Sequence, residues 1–217
     1  MDIKTGAFLF ARLVISAILY YCCIRLLSEN GLAVKQLCKF ANVERGVESM
    51  GFKETKPELL TDNPFKLIGS DWMLITAGTV ELFNTMTASW GGLGILWERK
   101  VATCYIRPTR YTFEFTERSP YFTLSFFNEK HRKKLTYCGT HSGRNTDKVR
   151  EAGLTPVKEG GFVYFEEARL VLACRKLYYQ DINPDRFLDP KIENMYPQKD
   201  YHRMYIGEIV KCLVQGT

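Results

Sequence analysis

The sequence contains few of the residues that metal sites, disulfide frameworks and nucleotide-binding loops require. It has three histidines, His131, His141 and His202, too far apart in the chain to indicate a metal site. The motifs H-E-x-x-H, G-x-S-x-G and G-x-x-x-x-G-K-[ST] do not occur, and the glycine cluster 91–94 does not fit a Rossmann G-x-G-x-x-G. These absences argue against zinc hydrolases, serine hydrolases, P-loop enzymes and Rossmann dehydrogenases.

The seven cysteines form no C-x-x-C pair, so neither a zinc ribbon nor a disulfide framework is expected. Cys104, Cys174 and Cys212 lie in apolar strand-like patterns, which predicts buried and inert thiols. Reduced thiols of this kind suit a cytoplasmic protein.

The composition is that of an ordinary globular domain, with 217 residues, 46% of them hydrophobic and 25% charged. The net charge of +6 comes from dispersed basic residues rather than a stripe, so no nucleic-acid partner is expected. The aromatic share of 13% indicates a well-filled core or a flat ligand stacked in the fold.

Residues 1–49 differ from the rest and contain a mostly apolar stretch at 8–27. Its uninterrupted apolar part, 13–24, has 12 residues, whereas a spanning helix needs about 20. Three interpretations stay open: a start codon assigned too early, a signal or membrane anchor, and a soluble extension. A domain is predicted over 50–217, and membrane contact or export is expected only if the apolar segment is genuine.

From Met50 onward the pattern is mainly that of strands. Five strands are predicted, at 71–77, 101–106, 121–126, 167–178 and 203–214, with short helices at 111–117, 129–137 and 146–152. Gly207, within the last strand, predicts a bulge or a close backbone approach. Many strands, short helices and no repeating βαβ unit predict a mainly β fold, a barrel with short peripheral helices.

Polar residues follow several of these strands. The segment Asn84–Trp90 carries small and hydroxylic side chains, which leave backbone N–H and C=O groups open to a flat heteroaromatic ligand such as an isoalloxazine ring. The alternative is an ordinary polar loop.

A second polar segment, 107–112, reads Arg-Pro-Thr-Arg-Tyr-Thr. Pro108 breaks the strand, Thr109 is predicted to cap the following helix, and the two arginines make an anion site suited to phosphate. A surface salt-bridge cluster is the alternative. The segments 142–144 and 147–148 predict either further anion contacts or a solvated turn.

The order and spacing of these motifs resemble the flavin reductase-like family of FMN-binding split barrels, and within it the flavoredoxin and ferric-reductase branch. The resemblance extends over about Met50–Gln215 and includes none of the first 49 residues. The motifs that carry it are Thr76-Ala77-Gly78, Asn84–Gly91, Arg107–Thr112, Phe122–Phe126, Tyr137–Arg144 with Asp147-Lys148, and Asp200–Ile209.

The resemblance implies a Greek-key split β-barrel of about six strands that forms a homodimer, with one FMN per subunit near the dimer interface. By this resemblance, the isoalloxazine ring is contacted by Asn84, Thr85, Met86, Thr87, Ala88 and Ser89. The phosphate is bound by Arg107, Thr109, Arg110, Tyr111 and Thr112, with Arg144 and Lys148 as further anion contacts. The wall of the ring site is formed by Ser125, Phe126 and Phe127. His202 is placed near the nicotinamide or acceptor, and its alternative role is a structural pairing with Asp200.

The function that the resemblance implies is hydride transfer from NAD(P)H to FMN, with electrons passed on to free flavin, ferric iron or a protein. A flavoredoxin-type carrier, reduced by a partner protein without direct use of NAD(P)H, is the first alternative. A barrel like pyridoxamine-phosphate oxidase, or a non-catalytic flavin-binding barrel, is the second. None of these needs a nucleophile or a general base, which agrees with the absence of such a motif.

Overall fold

Ten β-strands and three short α-helices make up the part of the chain that the computed structural model describes, residues 51–79 and 81–216. The strands are β1 (Phe52–Thr55), β2 (Met73–Gly78), β3 (Phe83–Ala88), β4 (Gly91–Leu96), β5 (Arg99–Ile106), β6 (Tyr121–Phe127), β7 (Pro156–Glu159), β8 (Phe162–Phe165), β9 (Ala168–Asp181) and β10 (Arg203–Gln215). The α-helices are α1 (Tyr111–Arg118), α2 (Arg132–Thr140) and α3 (Lys148–Glu151). Short 3-10 turns lie at Pro57–Leu59, Glu129–His131, Pro184–Arg186 and Pro190–Met195, and a π-helical turn lies at Lys66–Ser70.

The predictions for residues 1–49 lie outside the described residues. Among the described residues, no helix is both long enough and apolar enough to cross a membrane.

Eight of the described strands form one antiparallel sheet in the order β3-β2-β6-β9-β10-β5-β4, with β1 added beside β10, and β7 and β8 form a separate hairpin. The two end strands, β3 and β4, follow each other in the chain and are joined by Ser89 and Trp90. The hydrogen-bonded ladder is therefore interrupted between two consecutive strands. This is a split barrel, and the predicted mainly β fold is confirmed, with eight strands in the main sheet rather than about six.

The central strands bury side chains on both faces. Ile75, Leu124 and Leu172 lie in the core cluster on one face of β2, β6 and β9, whereas Leu74 and Val171 lie in a second cluster against α2 and β8. Since successive strand residues point to opposite faces, burial of both faces requires a nearly continuous apolar run. This explains why β2 and β9 were visible in the sequence.

Gly207 fulfils both predictions made for it. The register between β10 and β9 shifts at Ile206/Gly207, and a Cβ built on Gly207 would lie 2.7 Å from ring atoms of Phe122. The predicted buried thiols are also confirmed: burial raises the pKa of Cys212 to about 11 and raises the pKa values of Cys104 and Cys174 further.

The predicted helices occur, with the 129–137 segment beginning as a 3-10 turn before α2. The strands β3 and β4 were not predicted, because β3 reads as a polar loop and β4 begins with glycines, which have low strand propensity. The β7–β8 hairpin has a sequence signal, the pair Gly160-Gly161, which is typical of a hairpin turn. These two glycines have φ of 55° and 85° in the structure. The β4–β5 turn places Trp97 and Glu98 at φ of 52° and 58°, residue types that give no such signal.

Candidate functional site

Two cavities meet at Arg110, close to the break in the barrel. The β3 cavity, of about 250 Å³, is lined by Met86, Thr87, Ala88, Ser89, Trp90, Tyr105, Arg107, Arg110 and His202. The helix cavity, of about 180 Å³, is lined by Thr109, Arg110, Tyr111, Thr112, Gly139, Thr140, His141, Ser142 and Lys148. Residues predicted from four separate sequence segments thus line two adjoining spaces that share one arginine.

The end of β3 forms one wall of the β3 cavity. Among the described strands, β3 pairs only with β2, so the backbone groups on its outer edge have no strand partner. Helix α2 packs beside this edge: the Thr87 hydroxyl donates to the Leu135 carbonyl, and a Cβ on Gly139 would lie 3.3 Å from Thr87 Cβ. The edge can therefore offer N–H donors and C=O acceptors to the rim of a flat ligand.

Two cations line the helix cavity without a carboxylate partner in the described part of the chain. Arg110 donates to the Gly139 carbonyl at 3.0 Å, and Lys148 donates from Nζ to the carbonyls of Cys138 and His141, each at 3.2 Å. Lys148 is only 3% exposed. A buried ammonium paired with carbonyls alone is costly unless an anion joins it.

The electrostatics agree with this geometry. Burial lowers the pKa of Lys148 to about 8, while Cys138 acts to raise this pKa and Arg110 acts to lower it. Burial and the neighbouring Arg107 likewise lower the pKa of Arg110. A bound anion would stabilise the charged forms of both groups, since it supplies the missing opposite charge.

The first turn of α1 borders the same cavity. Arg110 is the N-cap residue and makes no side-chain capping bond, so the N–H groups of Tyr111 and Thr112 lack an intrahelical acceptor. The prediction that Thr109 caps this helix is wrong: its hydroxyl donates to Asp200 Oδ2 at 3.3 Å instead. The free N–H groups and the helix dipole add to the attraction for an anion.

Two other predicted phosphate ligands have carboxylate partners. Arg107 donates to Asp200 Oδ1 at 2.6 Å and to the Met195 carbonyl at 2.8 Å, and Arg144 pairs with Glu114 at 2.5 Å. Arg107 also lies over the ring of Tyr196, 4.9 Å from its centroid. Arg107 therefore fastens residues 182–202, the segment between β9 and β10 that we call the strap. A phosphate contact for either arginine stays a prediction.

Asn84 and Thr85 lie on β3 but do not line the two cavities. Asn84 donates to the Thr112 hydroxyl at 2.7 Å, and a Cβ on Gly143 would overlap its Oδ1, so Asn84 links β3, α1 and the loop after α2. Thr85 is fully buried and shares a hydrogen bond with the Thr76 hydroxyl. Both side chains support the strand that carries the cavity wall.

The predicted wall residues on β6 are buried and also do not line these cavities. Phe126 belongs to the main core cluster, and Phe127 belongs to the second cluster. Ser125 is fully buried, and its Oγ has no hydrogen-bond partner among the described residues. Their contact with a ligand stays a prediction.

His202 lines the β3 cavity and lies just before β10. Its Nδ1 is 3.0 Å from the Tyr196 hydroxyl, and its ring centroid is 4.8 Å from that of Trp90. Its hydrogen-bond partner is thus Tyr196 rather than Asp200. Burial lowers the pKa of His202 to about 4, Arg107 lowers it further, and Asp200 opposes them, so the imidazole is neutral at pH ~7.

This neutral histidine makes stability depend on pH. The unfolded chain binds a proton on His202 below a pKa of about 6.5, whereas the folded chain does so only near 4. The free energy of unfolding should therefore fall as pH drops from about 6.5 to about 4, by up to ~2–3 kcal/mol from this residue. Urea unfolding of the wild type and of His202→Gln over this range measures the effect. A stability difference between the two proteins that stays constant with pH would contradict it.

The sequence did not single out three residues of the site. Tyr105 was visible only as part of a strand, and Gly139 only as part of a helix end. Tyr196 lies in the irregular strap, where no periodic pattern marks it. Their places near the cavities follow from contacts between elements far apart in the chain.

Comparison with known protein families identifies the family of this chain. A family profile described as "Flavin reductase like domain" matches residues 65–217, and the chain belongs to this family. No curated protein sequence matches the chain.

Solved structures with the same fold include an FMN-binding domain of a flavin reductases-like enzyme from Shewanella baltica OS155, with 15% identity and a TM-score of 0.54 over 76% of this chain and 77% of that one. Flavoredoxin of Desulfovibrio vulgaris (Miyazaki F) has 22% identity and a TM-score of 0.53 over 75% and 77% of the two chains. A split-barrel flavin reductase homologue from Shewanella frigidimarina NCIMB 400 has 18% identity and a TM-score of 0.53 over 70% and 72%. These likenesses confirm the split-barrel fold.

Proposed function

We propose that the chain is an FMN-binding oxidoreductase that takes hydride from NAD(P)H and passes electrons to free flavin, ferric iron or a protein acceptor. The observation that carries the proposal is the pair Arg110 and Lys148, two cations without a carboxylate partner among the described residues, beside a cavity walled by the free edge of β3. Membership of the flavin reductase-like family and the FMN named for similar structures support it.

The donor set fits FMN in two parts. Arg110, Lys148 and the first N–H groups of α1 suit a dianionic phosphate, because charge-assisted hydrogen bonds and the helix dipole act together. The backbone from Met86 to Ser89 suits the polar edge of the ring, and Arg110 borders both spaces. When bound, FMN supplies the chemistry of accepting a hydride and releasing electrons.

The chain's own residues bind the flavin, orient the rings and exclude water from the site. Trp90, Tyr105 and His202 border the β3 cavity with aromatic surface, which limits access of water to a bound ring. His202 is held in place by Tyr196, and as a neutral imidazole it can orient a nicotinamide or donate a hydrogen bond. No nucleophile or general base is needed, because the protein aligns two rings rather than forming a covalent bond to either.

We further propose that the protein forms a homodimer and is located in the cytoplasm. A homodimer agrees with the family resemblance and with exposed apolar side chains on the β4–β5 hairpin, where Ile95 is 71% and Trp97 is 54% exposed. A reducing cytoplasm agrees with the unpaired buried thiols of Cys104, Cys138, Cys174 and Cys212.

Anaerobic titration tests the proposed function. We expect the purified full chain to be yellow, or to become so with FMN, and its absorbance near ~450 nm to disappear when NADH or NADPH is added. A bound flavin that neither nucleotide reduces would contradict NAD(P)H use and support the carrier reduced by a partner protein. A colourless protein that takes up no FMN would contradict both functions.

A further inference from the structure

A third cavity lies beneath the strap, beside the β3 cavity. This strap cavity has a volume of about 670 Å³, within the range of sites that hold small organic ligands. It shares Ser89, Trp90 and Tyr105 with the β3 cavity. Its remaining lining comes from the strap, from the segment before β2 and from the start of β4, and consists of Pro64, Phe65, Ile68, Gly69, Gly91, Gly92, Leu93, Ile182, Phe187, Ile192 and Tyr196.

The strap cavity differs in charge from the two cavities beside it. Among the described residues, no side chain that lines it is charged, whereas Arg107 and Arg110 line the β3 cavity and Lys148 lines the helix cavity. A charged ligand entering this space would lose hydration without gaining an opposite charge. The lining therefore selects uncharged molecules and disfavours ferric chelates that carry net charge.

The shape of the lining favours a ring. Trp90, Phe187 and Tyr196 contribute aromatic surface, and Ile68, Leu93 and Ile192 contribute aliphatic surface. Gly91 and Gly92 also border the cavity, and a Cβ on them would lie 2.7 Å from the Thr103 carbonyl oxygen and 3.0 Å from the Thr103 hydroxyl, respectively. Flat apolar surfaces of this kind bind planar hydrophobic rings.

The Tyr105 and Ser89 hydroxyls are polar groups at this cavity with no hydrogen-bond partner among the described residues. The Tyr105 hydroxyl has no hydrogen-bond partner within the part of the chain that the structure describes, although its ring lies beside that of His202 at 6.5 Å. The other phenol at the cavity, Tyr196, is held by His202. A free phenol O–H in a mostly apolar, uncharged lining suits a ligand carbonyl oxygen.

We propose that the strap cavity binds an uncharged planar ring bearing carbonyl oxygens, of the quinone class, and that this ring is a further electron acceptor besides those of the proposed function. The proposal rests on the proposed function, which supplies the reducing equivalents. In the net reaction NAD(P)H gives up a hydride and solvent gives a proton, so the quinone gains two electrons and two hydrogens and becomes a hydroquinone. The nicotinamide leaves oxidised.

Binding of naphthoquinone to the purified full chain, measured by calorimetry without NAD(P)H, tests the inference. We expect naphthoquinone to bind at least ~10-fold more tightly than its sulfonate, because the sulfonate brings an uncompensated charge into the cavity. Tyr105→Phe should weaken naphthoquinone binding by about 3- to 10-fold through loss of one hydrogen bond. Equal affinity for the neutral and the charged ring would overturn the proposal.

Two variants on the strap provide a matched pair. Ile192→Asp places a charge in the cavity lining and should weaken naphthoquinone binding by about 10-fold or more. Leu188→Asp places the same charge on the same segment, at a side chain that is 98% exposed, and should change the affinity by less than about twofold. Equal losses in both variants would contradict a site at this cavity.

FMN binding, followed by flavin fluorescence in the same proteins, separates the two proposals. Both strap variants should keep the wild-type affinity for FMN, because neither residue lines the β3 cavity or the helix cavity. FMN binding without naphthoquinone binding would overturn the quinone site alone. Failure of the wild type to bind FMN would overturn the proposed function.

Discussion

Replacing Lys148 by methionine is expected to weaken FMN binding by about 10- to 100-fold and to leave riboflavin binding nearly unchanged. The reason is that Lys148 is buried beside the first turn of α1 with carbonyl oxygens as its partners, so a phosphate would be its counter-ion. A charge-assisted hydrogen bond of this kind contributes roughly 1.5–3 kcal/mol. Fluorescence titration with both flavins measures the two affinities.

Lys133→Met is the matched control, because it removes the same charge from an exposed position on α2. We expect it to change FMN affinity by less than about twofold, since exposed charges at a distance are screened. Arg110→Ala should follow Lys148→Met, with a similar loss for FMN. An equal loss of FMN and riboflavin affinity in Lys148→Met would mean that the lysine supports the fold and does not bind phosphate.

The same lysine predicts how FMN binding depends on pH. Burial lowers the pKa of Lys148 to about 8, so raising the pH through this value removes its charge in the free protein. FMN affinity should therefore decrease above pH ~8 in the wild type, and this decrease should be absent in Lys148→Met.

Replacing Gly207 by alanine is expected to lower the free energy of unfolding by about 2–3 kcal/mol. The new Cβ would lie 2.7 Å from two ring atoms of Phe122 and 2.8 Å from Cys174 Cβ, so a packed core has to move. Overpacking of this kind costs roughly 1–3 kcal/mol or more. Urea unfolding of both proteins measures the loss.

Gly94→Ala is the control for that experiment. Gly94 also lies in a strand, but a Cβ there would have no atom of the described residues within 4 Å, so we expect a change below about 0.5 kcal/mol. Combining Gly207→Ala with Phe122→Leu should cost less than the sum of the single changes, because a smaller side chain relieves the contact. Equal destabilisation by the two glycine substitutions would contradict the packing argument.

The sequence allowed prediction of the strands whose burial is regular. β2, β6 and β9 appeared as apolar runs because both of their faces are buried, and Gly207 appeared as an irregularity within β10. β3 and β4 did not appear, because threonine, asparagine and glycine become strand residues there through pairing with β2 and β5. Local propensity contains no information about a partner strand.

For the candidate site, too, part was predictable from the sequence and part was decided by the tertiary structure. The sequence by itself determined a family of split barrels and a set of basic and hydroxylic residues, among them Arg107, Arg110, Arg144 and Lys148, suited to an anion. Only the tertiary structure decided which of these cations have carboxylate partners: Asp200 meets Arg107 and Glu114 meets Arg144, whereas the partners of Arg110 and Lys148 among the described residues are carbonyl oxygens. The physical reason is that charge compensation depends on distances of a few ångströms between segments far apart in the chain, which no local pattern encodes.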